Sequence, residues 1–227
     1  MRIQISPGNL LQLGPSNKKE MSVLEKLASS LGRRDEKPNQ SLAAQLIKAK
    51  DKKAIKELVE NLDNKDKDIQ SDCIKVLYEI GEKEPELIAP YDKEFLSLLG
   101  HKNNRLAWGA MTALDGIAEY NQQGIYKNLG RILGIAKNGS VITKDHAVGI
   151  LIKLAKVKAY HDNCMELLLA EFKTALTNQL PKYAEDTLPV MSDKYKKNFA
   201  EVLTSRLKDI EKDTKRARVE KVIKKLA

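Results

Sequence analysis

The sequence predicts an all-α solenoid, a stack of helical hairpins, and three observations carry that expectation. A ten-residue pattern recurs at a constant interval of 37 residues. Its apolar positions follow helical periodicity, and Gly and Pro are scarce, 12 and 7 in 227 residues. At this length the chain buries a sizeable core without disulfide or metal staples.

The recurrence begins with CIKVLYEIGE at Cys73 and returns as AMTALDGIAE at Ala110. Ile74 then aligns with Met111, Val76 with Ala113, Leu77 with Leu114, Ile80 with Ile117 and Glu82 with Glu119. The next steps reach AVGILIKLAK from Ala147 and AEDTLPVMSD from Ala184, and a degenerate VEKVIKKLA starts at Val219. Leu77, Leu114, Leu151 and Leu188 are expected to stack as successive rungs. An apolar segment precedes each unit: Ile55 to Leu62, Phe95 to Leu99, Leu129 to Ala136, and Leu168 to Leu176. Leu58, Phe95, Ile132 and Leu169 again lie 37 apart. Each unit thus reads as two antiparallel helices, neither of which buries its apolar face alone.

The expected helix starts are Asn103 and Asn104, Thr143, and Asn163 with Glu166 as a capping box. Pro189 falls inside the second helix of the fourth unit and should kink or break it. Ahead of the units, Met21, Val23, Leu24, Leu27 and Leu31 suggest a short helix. Arg33 to Pro38 reads as a linker, and Leu42, Ala43, Leu46 and Ile47 as a second helix. The expected organisation is a mobile segment 1–19, a helical cap 20–50 and a solenoid 51–227. Its units lie near 52–88, 89–125, 126–162, 163–199 and 200–227.

Two-helix units of this length resemble the HEAT and armadillo repeat class over roughly residues 51–227. The chain lacks the regular first-helix Pro and the Asp/Arg turn pair of a typical HEAT unit. The resemblance implies a right-handed α-α superhelix of about four to five two-helix HEAT-like repeats with an N-terminal helical cap. It also implies that second helices line the concave side. On that face Arg105, Trp108, Thr112, Asp115 and Glu119 form one stripe. One repeat earlier stand Asp68, Ser71, Lys75, Tyr78 and Glu82; one repeat later stand Ile142, Asp145, Gly149, Ile152 and Lys156. The candidate partner-binding groove is therefore Lys75, Tyr78, Arg105, Trp108, Thr112, Asp115, Asp145 and Lys156. Trp108, the only Trp, lies at its centre, where it either completes the core or contacts a ligand.

Motifs of catalysis are missing: no phosphate-cradling Gly-rich loop, HExxH, GxSxG or CxxC occurs. Asn64, Asp66 and Asp68 open like a calcium loop, but Ile69 stands where Gly is required and Lys75 where Glu is. His101, His146 and His161 lie in different units without a paired ligand, and Cys73 and Cys164 read as buried thiols. Neither metal, cofactor nor catalytic residue is expected. Gly130 and Gly134 suggest a close packing contact. Two cysteines and no apolar run of membrane length point to a cytoplasmic protein.

The formal net charge is +9, spread unevenly: residues 1–50 carry +5, residues 51–100 carry −5, and residues 201–227 carry +4. The favoured function is a non-catalytic scaffold that binds a peptide or partner protein in the concave groove. The alternative is nucleic-acid binding through the basic C-terminal helix, Lys212 to Lys225. Some alkylpurine DNA glycosylases are also built of HEAT-like pairs, and Trp108 with Asp115 resembles their aromatic and carboxylate residues in type. The acids Asp68, Glu82, Asp115, Glu119 and Asp145 on the groove face oppose phosphate.

Overall fold

The computed structural model describes residues 22–226, and among them every regular element is a helix. The expected segment 1–19 lies outside the described residues. Ser22 caps a 3-10 turn, Val23–Lys26, in place of the longer helix expected there. Helix α1, Lys37–Ala49, carries Pro38 in its first turn and stops at Lys50, whose φ of 49° is left-handed. It begins inside the stretch read as a linker, because Pro at the first turn forfeits no intrahelical bond.

Helix pairs follow. Helix α2 (Lys52–Glu60) pairs with α3 (Lys67–Lys83), and α4 (Asp92–Leu98) with α5 (Asn104–Ile117). The next pair is α7 (Leu129–Lys137) with α8 (Val141–Ala155), preceded by a short α6, Gln122–Lys127, that the apolar pattern did not announce. Helices α9 (His161–Thr174) and α10 (Leu180–Thr187) come next in sequence, α9 packing on α8 and α11 and α10 on α12, and α11 (Asp193–Arg206) pairs with α12 (Asp213–Leu226).

Side-chain caps mark five of the α-helix starts. Asp51, Asp66, Asn103 and Asn121 each accept a backbone N–H of the following turn. Asp66 thus serves as a helix cap in the segment that mimics a calcium loop. Two expected caps are corrected. Ser140, not Thr143, caps α8, accepting from the Thr143 N–H at 3.2 Å. Asn163 lies within α9, which starts at His161, and donates to the Tyr126 hydroxyl instead. Pro189 does break its helix: α10 ends at Thr187 and a 3-10 turn, Leu188–Val190, takes over.

The second helices touch in unbroken succession, α1 to α3 to α5 to α8 to α10 to α12. Of the first helices, only α9 and α11 pack closely on one another. The second helices are thus the row whose members crowd together. Contacts keep the repeat's register. Lys156 with Glu119, Asn163 with Tyr126 and Lys215 with Asn178 are bonded across 37 residues each. Leu77, Leu114 and Leu151 are fully buried, each worth about 1.5–3 kcal/mol. Leu188 is the exception, only partly buried because the break at Pro189 turns it out of the helix.

The inner row approaches closely where side chains vanish. A Cβ on Gly116 of α5 would stand 2.8 Å from the Gly81 carbonyl oxygen of α3. The expected packing at Gly130 and Gly134 is corrected, because a Cβ at either would meet nothing within 4 Å.

Candidate functional site

The stripe residues divide into a floor and two cavities. Lys75, Tyr78 and Thr112 are buried, so they form the floor rather than open surface. The long helix α3 is covered by α1, α2 and α5, which buries every residue from Ser71 to Gly81. Lys75 Nζ lies 2.8 Å from Glu36 and 2.7 Å from Glu79, and 4.7 Å from the Tyr78 ring centre. Burial opposes its charge, yet the two carboxylates hold its pKa above the ordinary lysine value. Desolvation in turn raises the Tyr78 pKa, against the pull of Lys75. Thr112 donates its hydroxyl to the Trp108 carbonyl one turn back.

Trp108 is half-buried. Its ring lies 5.5 Å from that of Tyr78, tilted by 51°. It therefore packs on the core and stays partly exposed.

Towards the C-terminus, Asp115, Ile142, Asp145, Gly149 and Ile152 line a cavity of about 330 Å³ with Lys182, Tyr183 and Asp186. Asp115 is anchored twice: His146 Nδ1 lies 2.8 Å from one carboxylate oxygen, and Lys153 Nζ donates to the other at 2.9 Å. Gly149 permits this arrangement, since a Cβ there would stand 2.8 Å from Asp115 Oδ1. Asp145 accepts the Tyr183 hydroxyl and, at 3.4 Å, the Gln179 amide. Burial and this bond raise the Tyr183 pKa. Lys156 lies at the exposed edge, paired with Glu119.

Towards the N-terminus, Asp68, Ser71 and Arg105 line a second cavity, about 460 Å³, closed by the loop from Ala28 to Glu36. The eight candidates thus lie along one face without converging on one point. His146, Lys153, Tyr183 and Arg34 were missed. The signal for two of them was present: Lys153 and Tyr183 lie 38 residues from the aspartates they bond, one beyond the repeat shift. A stripe two columns wide would have included them.

Among the described residues no group of His, Cys, Asp or Glu is arranged to hold a metal. Burial pushes the Cys73 thiol up to about 12 and the Cys164 thiol up to about 11. His161 is clasped between the Ala155 carbonyl and the Ser192 hydroxyl, at 2.7 and 2.9 Å. Parts of the basic run are also engaged within the fold: Arg218 with Glu185, Lys215 with Asn178, and Arg216 with Asp213 and the Ile210 carbonyl. No described helix is long and apolar enough to cross a membrane.

The geometry defines an armadillo/HEAT-like helical repeat fold, an α-solenoid, and structural comparison agrees. The chain is similar to a designed armadillo repeat protein in complex with the peptide (KR)4. The TM-score is 0.63 at 15% identity, over 83% of this chain and 87% of that one. Computationally designed armadillo repeat proteins for modular peptide recognition give a TM-score of 0.62 at 14% identity, over 89% and 97% of the two chains. A further engineered protein gives 0.60 at 19% identity, over 91% and 97%. No family model matches the sequence, and no curated protein does.

Proposed function

We propose that the chain is a non-catalytic interaction scaffold that holds an extended peptide or partner segment along its concave groove. The observation that carries this function is the unbroken inner row, with a cavity on either side of the Tyr78–Trp108 pair. A partly exposed tryptophan, flanked by recesses, matches the anchor-and-pocket pattern of binding hot spots. The designed neighbours built for peptide recognition support the same use of the surface. The central face favours a peptide over a nucleic acid: Asp115, Asp145 and Asp186 line its cavity against one lysine, Lys182, so it offers phosphate no basic surface.

Selection from a random displayed-peptide library, followed by affinity measurement on individual winners, tests this. Trp108→Ala should weaken the winners by about thirtyfold, the loss typical of a central aromatic anchor. Because Trp108 also packs on the core, Ile142→Asp supplies a second variant. Ile142 is exposed and lines the inner cavity, so this change should weaken binding without unfolding the chain. Winners indifferent to both substitutions would overturn the groove assignment.

A further inference from the structure

Three aspartates line the inner cavity, and the fold neutralises two of them. Asp115 is met by Lys153 at 2.9 Å and His146 at 2.8 Å, and Asp186 by Lys182 at 2.5 Å. Asp145 has no such match. Its two oxygens accept from the Tyr183 hydroxyl and, at 3.4 Å, from the Gln179 amide, both neutral donors. It makes no ion pair among the described residues. A carboxylate offers about four acceptor positions, so each oxygen keeps room for a further bond. Three carboxylates thus stand against one lysine of the lining, or against two when Lys153 is counted with its partner.

The remaining wall is apolar, an observation independent of those charges. Val148 is buried, Ile152 is half-buried, and Ile142 is 45% exposed, which puts it at the open side. An apolar side chain left in water beside an unmatched carboxylate suits an amphipathic guest. Lysine and arginine are such guests: their methylene stems cover apolar surface while the charged tip seeks an acceptor. At about 330 Å³ the space lies at the small end of ligand cavities, which fits one side chain. A neutral guest would desolvate Asp145 without supplying an opposing charge, and an acidic one would be repelled.

We propose that the inner cavity receives a lysine or arginine side chain of the bound segment, its charged tip on Asp145 and its stem along Ile142 and Ile152. The segment that carries this side chain rests on the groove function above; the preference for a cation is measurable with small molecules alone.

The experiment titrates the full chain, carbon-13-labelled at its Ile and Val methyl groups, with three probes at constant ionic strength. They are the N-acetyl methylamides of lysine, arginine and norleucine, the last a neutral match for the lysine stem. A pH of about 8 keeps imidazole ordinarily neutral. Saturable shifts at Ile142, Val148 and Ile152 are expected, with the better cationic probe binding at least about fivefold tighter than norleucine. Whether lysine or arginine binds tighter identifies the tip as ammonium or guanidinium. Asp145→Asn keeps an acceptor for Tyr183 and removes the charge, so it should erase the cationic advantage and leave norleucine unchanged. Lys182→Gln, at an exposed position, frees Asp186 and should strengthen the cationic probes by about twofold. Equal affinities for the three probes, no saturable shift with any of them, or a cationic advantage that survives Asp145→Asn would overturn the assignment. If Asp145→Asn fails to fold, cationic probes no tighter on Lys182→Gln than on the parent chain overturn it instead. A cation preference here alongside Trp108-independent peptides would keep the pocket and remove the groove. Trp108-dependent peptides without that preference would do the reverse.

Discussion

Helices α3 and α10 occupy the same place in their repeats yet meet opposite fates. Helix α3 runs from Lys67 to Lys83, is packed by α1, α2 and α5, and buries eleven successive residues. Helix α10 runs only from Leu180 to Thr187, because Pro189 ends it, and it bridges α8 and α12. The contrast shows that a repeat fixes position more strongly than it fixes length. Equivalent leucines therefore carry unequal loads.

The rung residues test this most severely. Leu77→Ala should cost about 2–5 kcal/mol, since Leu77 is fully enclosed and the surrounding helices relax only in part. Leu188→Ala, at the matching position but only partly buried on a 3-10 turn, should cost about 1 kcal/mol or less. Denaturant unfolding of both variants measures the difference. Equal losses would mean that the end of α10 is packed as tightly as α3.

An alkaline titration sharpens the same comparison without altering the core's shape. Cys73 lies in α3, and burial raises its thiol from 9.0 to about 12; Cys164, in α9 beside the shorter helix, rises only to about 11. The unfolded thiols release their protons first, so stability is intact below pH 9 and falls as pH climbs through that interval. The slope approaches about 1.4 kcal/mol per pH unit for each thiol. Cys73→Ala should remove its part of the slope up to pH 12, and Cys164→Ala its part only up to about 11. An unchanged slope in Cys73→Ala would contradict the enclosure of α3.

How much of this was legible follows from what a period contains. The interval of 37 placed Leu77, Leu114 and Leu151 in one column, because apolar spacing is set by the helix alone. It placed Trp108 and Asp115 in one stripe along α5 for the same reason. It missed the partners of Asp115, since His146 and Lys153 reach it from the next repeat, and a crossing angle decides that reach. Lys75 looked like groove surface because a lysine at a stripe position ordinarily faces water. Here Glu36, in the loop entering α1, folds over and pairs with it. Pro189 was readable as a break, whereas α6 lay hidden in a run too short for a period to show.

Glycines give the smallest effect and the sharpest sign. Gly116 on the inner row has no room for a methyl group: its Cβ would press on the Gly81 carbonyl, so Gly116→Ala should destabilise by forcing α3 and α5 apart. Gly134, in the middle of α7 on the outer row, faces open space, so Gly134→Ala should stabilise by about 0.5–1 kcal/mol through helix propensity alone. Opposite signs for one substitution at two helical glycines would separate the inner wall from the outer by thermodynamics. The same pair also bears on function. If Gly134→Ala gains stability and leaves peptide affinity unchanged, α7 lies outside the recognition surface. A loss of affinity would instead move part of that surface to the convex side, where Gly130 and Gly134 would leave backbone open to a partner.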